Sequence, residues 1–183
     1  MCYFYFDYRD RGKQTLRSLV ASLLIQLSAH SNRLCDILSH LYEDHDRGRL
    51  QPSDRALEQS LKEMLAVPDR LPIYLIVDAI DDCPHASGMP PPRERVLHFV
   101  KVLVELCLPN LRICVTSRPE IDIRTEIEYL TYHRVSLHDE IGQKEDIRNY
   151  ISAIVHSDRN MRRWGSEDQH FVINFLSERA DGM

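Results

Sequence analysis

The fold of this chain is decided by residues 73 to 82, which read Ile73-Tyr74-Leu75-Ile76-Val77-Asp78-Ala79-Ile80-Asp81-Asp82. A run of bulky, mostly apolar residues leads without a break into an acid, and two more acids follow within four residues. The run is too short for a buried helix and too continuous for a strand with one exposed face. We therefore expect a parallel strand covered on both faces. Asp78 then lies at its carboxyl end, where open α/β sheets bind their ligands.

The composition argues against several classes of function. The 183 residues carry 23 basic and 28 acidic side chains, a net charge of -5, whereas nucleic-acid binders usually show a basic excess. No apolar run approaches the roughly 20 residues of a membrane-spanning helix. We therefore expect neither a nucleic-acid nor a membrane partner. The five cysteines form no Cys-x-x-Cys pair and no zinc spacing with histidines. They predict a cytoplasmic protein with reduced, mostly buried thiols.

Strands and helices alternate along the first three quarters of the chain. Aromatic or apolar runs predict the strands, and apolar residues at steps of three and four predict the helices. The predicted strands are 2–6, 73–78, 111–118 and, more weakly, 132–137. The predicted helices are 13–30, 33–42, a helix capped by Ser53, 93–106, 120–130, one from 139 onwards, and 167–180.

This alternation predicts an α/β fold with a parallel sheet. No strand pattern is visible beyond residue 137. We therefore place a domain boundary there, which separates an α/β core at residues 1–137 from a helical segment at residues 138–183.

The acids after the central strand suggest a magnesium-nucleotide site. A carboxylate on a rigid strand end is held at a fixed distance from a bound phosphate, and Mg²⁺ prefers oxygen ligands. Asp78 would serve the metal, while Asp81 or Asp82 would orient or deprotonate a water molecule. The alternative is structural: Asp78 ends the strand, and the other two acids form a solvated turn.

Polar residues also follow the next buried strand, as Thr116, Ser117 and Arg118. In a parallel sheet they lie on the same edge as Asp78. Arg118 could then neutralise a terminal phosphate through its guanidinium group. The alternative is a surface arginine packed beside Pro119.

The order of these pieces resembles the NACHT family of signal-transduction NTPases, within the P-loop class, and more closely its nephrocystin-3-like N-terminal version. Residues 75–83 match the Walker B segment, in which the family usually has Asp-Glu where this chain has Asp81-Asp82. Residues 116–119 match the sensor strand. The other matching segments are 3–10 at the family's second strand and, in the following helical region, 145–151 and 180–183.

The resemblance implies a three-layer P-loop NTPase-like sheet in which this chain supplies strands 2 to 5 and strand 1 is missing. Residues 1–137 would be a partial NACHT nucleotide-binding core, and residues 138–183 the truncated start of a helical subdomain. The implied site has Asp78 on Mg²⁺, Asp81 and Asp82 as catalytic acids, and Thr116 and Arg118 on ATP or GTP.

One family motif is absent. No G-x-x-x-x-G-K-[ST] loop occurs in the 183 residues. The pair Gly12-Lys13 does not complete the motif. The motif would need glycine at position 7 and serine or threonine at position 14, where this chain has Asp7 and Gln14. That loop supplies the main phosphate contacts. We therefore expect this chain to bind nucleotide weakly or not at all, and to be inactive alone as a nucleoside triphosphatase.

The family's strand order, 5-1-4-3-2, also implies an open edge. Without strand 1, the strand at 111–116 has no outer neighbour unless residues 135–137 pair with it. An open edge invites association with another chain. The alternative function is therefore a non-enzymatic interaction fragment that self-associates or pairs with an intact NACHT protein.

Overall fold

The structure is a computed structural model that describes residues 1–68, 72–86, 88–136 and 141–180, with side chains from residue 144 in the last segment. The chain divides into two compact units, Met1–Thr131 and Tyr132–Met183. The boundary that we predicted between residues 137 and 138 lies outside the described residues.

The first unit has the predicted α/β architecture with a parallel sheet. The strands are β1 (Cys2–Tyr5), β2 (Ile73–Asp78) and β3 (Leu111–Val115), with β2 in the centre. The α-helices are α1 (Leu16–Ser28), α2 (Asn32–Asp44), α3 (Asp54–Ala66), α4 (Pro92–Glu105) and α5 (Ile121–Ile127). The first helix begins later than predicted because Arg11–Lys13 forms a separate 3₁₀ turn. The third strand ends at Val115, before the polar residues that we included in it.

Hydroxyl side chains fix the starts of three of these helices. Thr15, Ser31 and Ser53 each accept a hydrogen bond from the backbone N–H three residues on, at 3.1, 3.4 and 3.1 Å. Each such cap contributes about 1 kcal/mol, because it satisfies a donor that the helix leaves unpaired. The predicted cap at Ser53 is confirmed.

Helices cover only one face of the described sheet. The chain steps from β1 to β2 and from β2 to β3 in the same direction, so two right-handed crossovers place their helices on the same face. On the other face, Tyr3, Tyr5 and Tyr74 are 53%, 46% and 54% exposed. Our expectation of coverage on both faces, and hence of three layers, is wrong for the described residues. The run of β2 alternates in burial, and its aromatic Tyr74 faces outwards.

The predicted fourth strand is also wrong over residues 132–136, which form no strand; Leu137 lies outside the described residues. Tyr132 and Val135 are 97% and 73% exposed, so this segment buries too little apolar surface to order as a strand. Within the part of the chain described, the outer edge of β3 has no strand beside it.

The opposite edge of the sheet is closed by a side chain. The amide of Gln26 on α1 accepts a hydrogen bond from the Tyr3 N–H at 2.9 Å and donates one to the Tyr3 carbonyl at 2.7 Å. It satisfies both outward backbone groups of Tyr3, which a further strand would need for pairing. The two edges of the sheet therefore differ within the described residues. Gln26 obstructs β1 at Tyr3, in the middle of a short strand, whereas on β3 the first residue, Leu111, bonds to Leu108 and Arg112 and no strand covers the rest.

The second unit contains α6 (Ile141–Ser157) and α7 (Ser166–Arg179), which contact one another. Val155 and Ile173 are buried. The prediction of helices here is confirmed. No helix in the described part of the chain is long and apolar enough to cross a membrane.

All five cysteines lie in described segments and none forms a disulfide, but the prediction that most are buried is wrong. Cys2 and Cys83 are buried, whereas Cys35, Cys107 and Cys114 are exposed. Cys114 shows the reason: it faces outwards from β3 on the uncovered face of the sheet.

A charge cluster joins three helices of the first unit. Asp54, the first residue of α3, accepts hydrogen bonds from Arg95 of α4 at 2.6 Å and from Arg17 of α1 at 2.8 Å. These two bonds, that of Arg95 first, hold the pKa of Asp54 below its ordinary value of 3.8. The carboxylate is 35% exposed, so solvent screens the pair and limits its contribution to stability.

Replacing Asp54 with asparagine should lower the free energy of unfolding by about 1 kcal/mol at pH 7. A depressed pKa stabilises the folded state above the unfolded value of 3.8, and this contribution is lost as the pH falls through the folded value. The difference between wild type and variant should therefore shrink below pH 4 in urea unfolding series. Asp36→Asn, on the exposed face of α2, is the control and should change little. A pH-independent difference for Asp54→Asn would contradict this account.

Candidate functional site

The carboxyl ends of β2 and β3 are joined through Asp78 and Thr116. Asp78 is the last residue of β2 and is exposed. The Thr116 hydroxyl donates a hydrogen bond to its Oδ1. The Thr116 N–H also donates to the Val77 carbonyl at 3.0 Å, which continues the ladder one residue past β3. Asp78 and Thr116, predicted to share one edge of the sheet, therefore touch.

The backbone turns sharply directly after Asp78. Ala79 has φ 55° and ψ 50°, a left-handed conformation that costs a non-glycine residue about 1–2 kcal/mol. Two hydrogen bonds hold the turn: the Ala79 N–H donates to Thr116 Oγ1 and the Ile80 N–H to the Thr116 carbonyl, both at 3.1 Å. Strained turns of this kind cluster at functional sites. Here the turn directs Asp81 towards the residues after β3.

Asp81 holds Arg118 at two points. Its Oδ1 accepts a hydrogen bond from the Arg118 N–H at 3.1 Å, and its Oδ2 lies 3.2 Å from Arg118 Nε. The Asp81 side chain is 8% exposed, whereas that of Arg118 is 77% exposed. Asp81 therefore anchors the arginine, and the outer part of the guanidinium group remains open to solvent. The structure brings these two predicted site residues together.

Asp82 faces the first strand instead. Its Oδ2 accepts a hydrogen bond from the Tyr8 N–H, in the loop after β1, at 3.4 Å. The five predicted site residues thus lie at the carboxyl edge of one sheet, but with different neighbours. Asp78 and Thr116 form one pair, Asp81 and Arg118 form another, and Asp82 ties the edge to the first loop.

The carboxylates of this edge suit Mg²⁺ only if a bound phosphate supplies part of the metal's ligands. No cluster of three or more acidic, histidine or cysteine side chains that could hold a metal occurs among the described residues. Asp78 can provide one exposed carboxylate. Mg²⁺ is commonly held by one or two carboxylates, with phosphate oxygens and water completing its shell. Asp78 therefore fits the protein's share of such a site.

Sequence reasoning missed Arg93, which lies below this edge with a side chain only 6% exposed. Its Nε and Nη2 donate to the carbonyls of Cys83 and Asp81, at 2.9 and 2.5 Å. Its Nη1 lies 2.8 Å from Glu120 Oε2 and 3.2 Å from Asp122 Oδ2. Arg93 therefore joins the loop after β2 to the segment after β3. The sequence of α4 did not indicate this linking role, because position 93 lies on the same side of the helix as its apolar core residues.

Burial acts on both charged and neutral groups here. Burial opposes the charge on Arg93, but the hydrogen bonds that it donates to Glu120 and Asp122 outweigh this effect, and the pKa of Arg93 lies above its ordinary value. Burial also raises the pKa of the Cys83 thiol to about 12. Cys83 is therefore a protonated thiol that donates to the Gln14 carbonyl, at 3.3 Å, and not a nucleophile.

Replacing Arg93 with methionine should lower the free energy of unfolding by about 2–5 kcal/mol, mainly because it leaves the carbonyls of Cys83 and Asp81 without their donors. The lost ion pairs add less, since the Glu120 and Asp122 side chains are 41% and 43% exposed. Urea unfolding measures the loss. The matched control is Arg95→Met, which removes a half-exposed arginine from the same helix and should cost about 1 kcal/mol or less. Equal losses for the two variants would show that Arg93 does not organise this edge.

The described geometry can be set beside known proteins. The sequence model of the family described as Nephrocystin 3, N-terminal, matches residues 1–118. No curated protein and no solved structure matches the chain significantly. The matched segment contains all three strands and extends to Arg118, so it includes every residue of the candidate site. This chain belongs to the nephrocystin-3 N-terminal family.

Proposed function

We propose that this chain carries the Walker B and sensor half of a NACHT-type P-loop NTPase site. In its parent protein, that site would bind Mg-ATP or Mg-GTP and switch a signalling assembly. The observation that carries the proposal is the contact between Asp78 and Thr116. This contact joins an exposed carboxylate and a polar strand end at one edge of a parallel sheet, and α/β proteins bind nucleotides at such edges.

Each predicted residue has a role in this proposal. Asp78 would bind Mg²⁺, which supplies positive charge to the phosphates when bound. Arg118, held by Asp81 with its outer nitrogens exposed, would contact the terminal phosphate. Because Asp81 is already paired with that arginine, the carboxylate of Asp82 would orient a water molecule. Thr116 would keep the Asp78 carboxylate in place.

The affinity of this half-site alone should be low. Two charge-assisted contacts, one at Arg118 and one through the metal on Asp78, are worth about 1.5–3 kcal/mol each. Their sum of about 3–6 kcal/mol corresponds to a dissociation constant between about 6 mM and about 40 μM, with a midpoint near a millimolar. The chain lacks the glycine-rich loop that supplies most phosphate contacts in this class.

Titration of the ¹⁵N-labelled chain with Mg-ATP and Mg-GTP, followed by amide chemical shifts, tests the proposal. We expect millimolar, Mg-dependent shifts at Ala79, Thr116 and Arg118, and their loss in Asp78→Asn, which removes the metal-binding charge. The control Asp36→Asn should titrate like wild type. Calorimetric binding with a dissociation constant of about 1 μM or below would contradict the low affinity. Chemical-shift changes that do not depend on Mg²⁺, or that persist in Asp78→Asn, would contradict the proposal that Asp78 binds the metal.

A second candidate function is association with another chain, and the difference between the two sheet edges favours it. Gln26 obstructs the edge of β1 at Tyr3, whereas within the described residues no strand covers β3. An edge of this kind can pair with a strand of a second copy or of an intact NACHT relative.

Sedimentation velocity from micromolar to several hundred micromolar protein, under reducing conditions, tests this candidate. We expect reversible association in wild type and a shift towards monomer in Cys114→Lys, because a charge on an exposed edge strand disfavours pairing. Cys35→Lys places the same charge on α2 and should leave association unchanged. A chain that stays monomeric throughout would rule out self-association through this edge.

A further inference from the structure

The 3₁₀ turn Arg11–Lys13, after β1, presents a lysine to the same edge of the sheet. Asp10 fixes the backbone of this turn: its Oδ1 accepts from the Gly12 N–H and its carbonyl accepts from the Lys13 N–H, both at 2.8 Å. Lys13, whose surrounding sequence does not complete the glycine-rich motif, therefore has a defined position in the fold.

The Lys13 ammonium group rests on Tyr5. Its Nζ lies 2.5 Å from the Tyr5 hydroxyl and 3.8 Å from the centre of the ring. The hydrogen bond to Tyr5 is the largest cause that raises the pKa of Lys13 above its ordinary value, and the charges of Asp10 and Asp7 add to it. The lysine is therefore a fixed positive charge at neutral pH.

Tyr5 in turn lies beside Asp78. The two residues are register partners in the pairing of β1 with β2, and Thr116 follows at the same level beyond Asp78. Register partners in neighbouring strands point to the same face, here the uncovered one. The outward residues thus form a row of Tyr5, Asp78 and Thr116, with Lys13 on Tyr5 at one end.

The charges along this edge have a pattern that suits a metal-bound polyphosphate. Lys13 contacts Tyr5 on β1, the register partner of Asp78, whereas Arg118 follows β3, the strand on the other side of β2. A phosphate between the two cations would meet the Asp78 carboxylate, which repels it unless a divalent cation lies between them. Such an arrangement binds an anion strongly only together with a metal.

We propose that Lys13, held by Tyr5, is a phosphate-binding residue of this edge and contacts the polyphosphate chain of a Mg-nucleotide from the side opposite Arg118. The proposal rests on the function proposed above. It assigns a role to a residue outside the Walker B and sensor segments. Because the contact is with phosphate, Lys13 should act equally on a nucleotide and on inorganic triphosphate.

Amide-shift titrations with Mg-ATP and with Mg-tripolyphosphate, at constant ionic strength, test this role. We expect Lys13→Gln to weaken both ligands about tenfold, as for the loss of one charge-assisted contact. Tyr5→Phe removes the hydroxyl but keeps the charge, and should weaken both ligands by a smaller factor. The matched control is Lys101→Gln, because Lys101 lies 5.6 Å from the ring centre of Tyr129 on another part of the surface.

The outcomes separate the two proposals. A loss in Lys13→Gln with none in Lys101→Gln supports the role of Lys13. Equal affinities for these two variants, with binding still abolished by Asp78→Asn, would overturn the role of Lys13 and leave the proposed function intact. The absence of any Mg-dependent shift at the Asp78 edge in wild type would overturn both.

Discussion

The structure of the candidate site depends on the hydrogen bond from the Thr116 hydroxyl to the Asp78 carboxylate. This bond joins the ends of two neighbouring parallel strands, and the same hydroxyl accepts the N–H of the strained Ala79. The turn that it stabilises carries Asp81 to Arg118. Below it, Arg93 ties the same two loops together from the buried side. The edge is thus held both by hydrogen bonds at the strand ends and by a buried arginine. Asp78 and Arg118 are therefore exposed to solvent but held in defined positions.

Sequence patterns were sufficient where local forces decide the structure. The apolar run before Asp78, the leucine spacing of the helices and the cap at Ser53 are local features, and the structure has each of them. They failed where long-range packing decides. Coverage of the sheet depends on the direction in which the chain crosses over, and Tyr74 is apolar enough to suggest burial although it faces outwards. Residues 132–136 have the composition of a strand, but no strand in the described part of the chain pairs with them.

Of the candidate site, the sequence predicted the shared edge but not its internal pairings. Asp78, Thr116 and Arg118 were expected together because the carboxyl ends of parallel strands meet. That Asp81 would anchor Arg118 was not predictable, since the anchor depends on the left-handed turn at Ala79, an alanine where glycine would have marked the turn. Arg93 and Lys13 were missed for a related reason. Their partners lie on other elements, and only the folded chain brings them together.

Replacing Mg²⁺ with Mn²⁺ tests the central claim most directly, because a paramagnetic ion broadens the amide signals of nearby residues. With ATP present, we expect selective broadening at Ala79, Thr116 and Arg118, on the edge formed by β2 and β3. Broadening centred on the acidic segment Glu43–Asp46, or spread evenly over surface acids, would show that Asp78 does not bind the metal. The nucleotide site proposed on this edge would then be wrong.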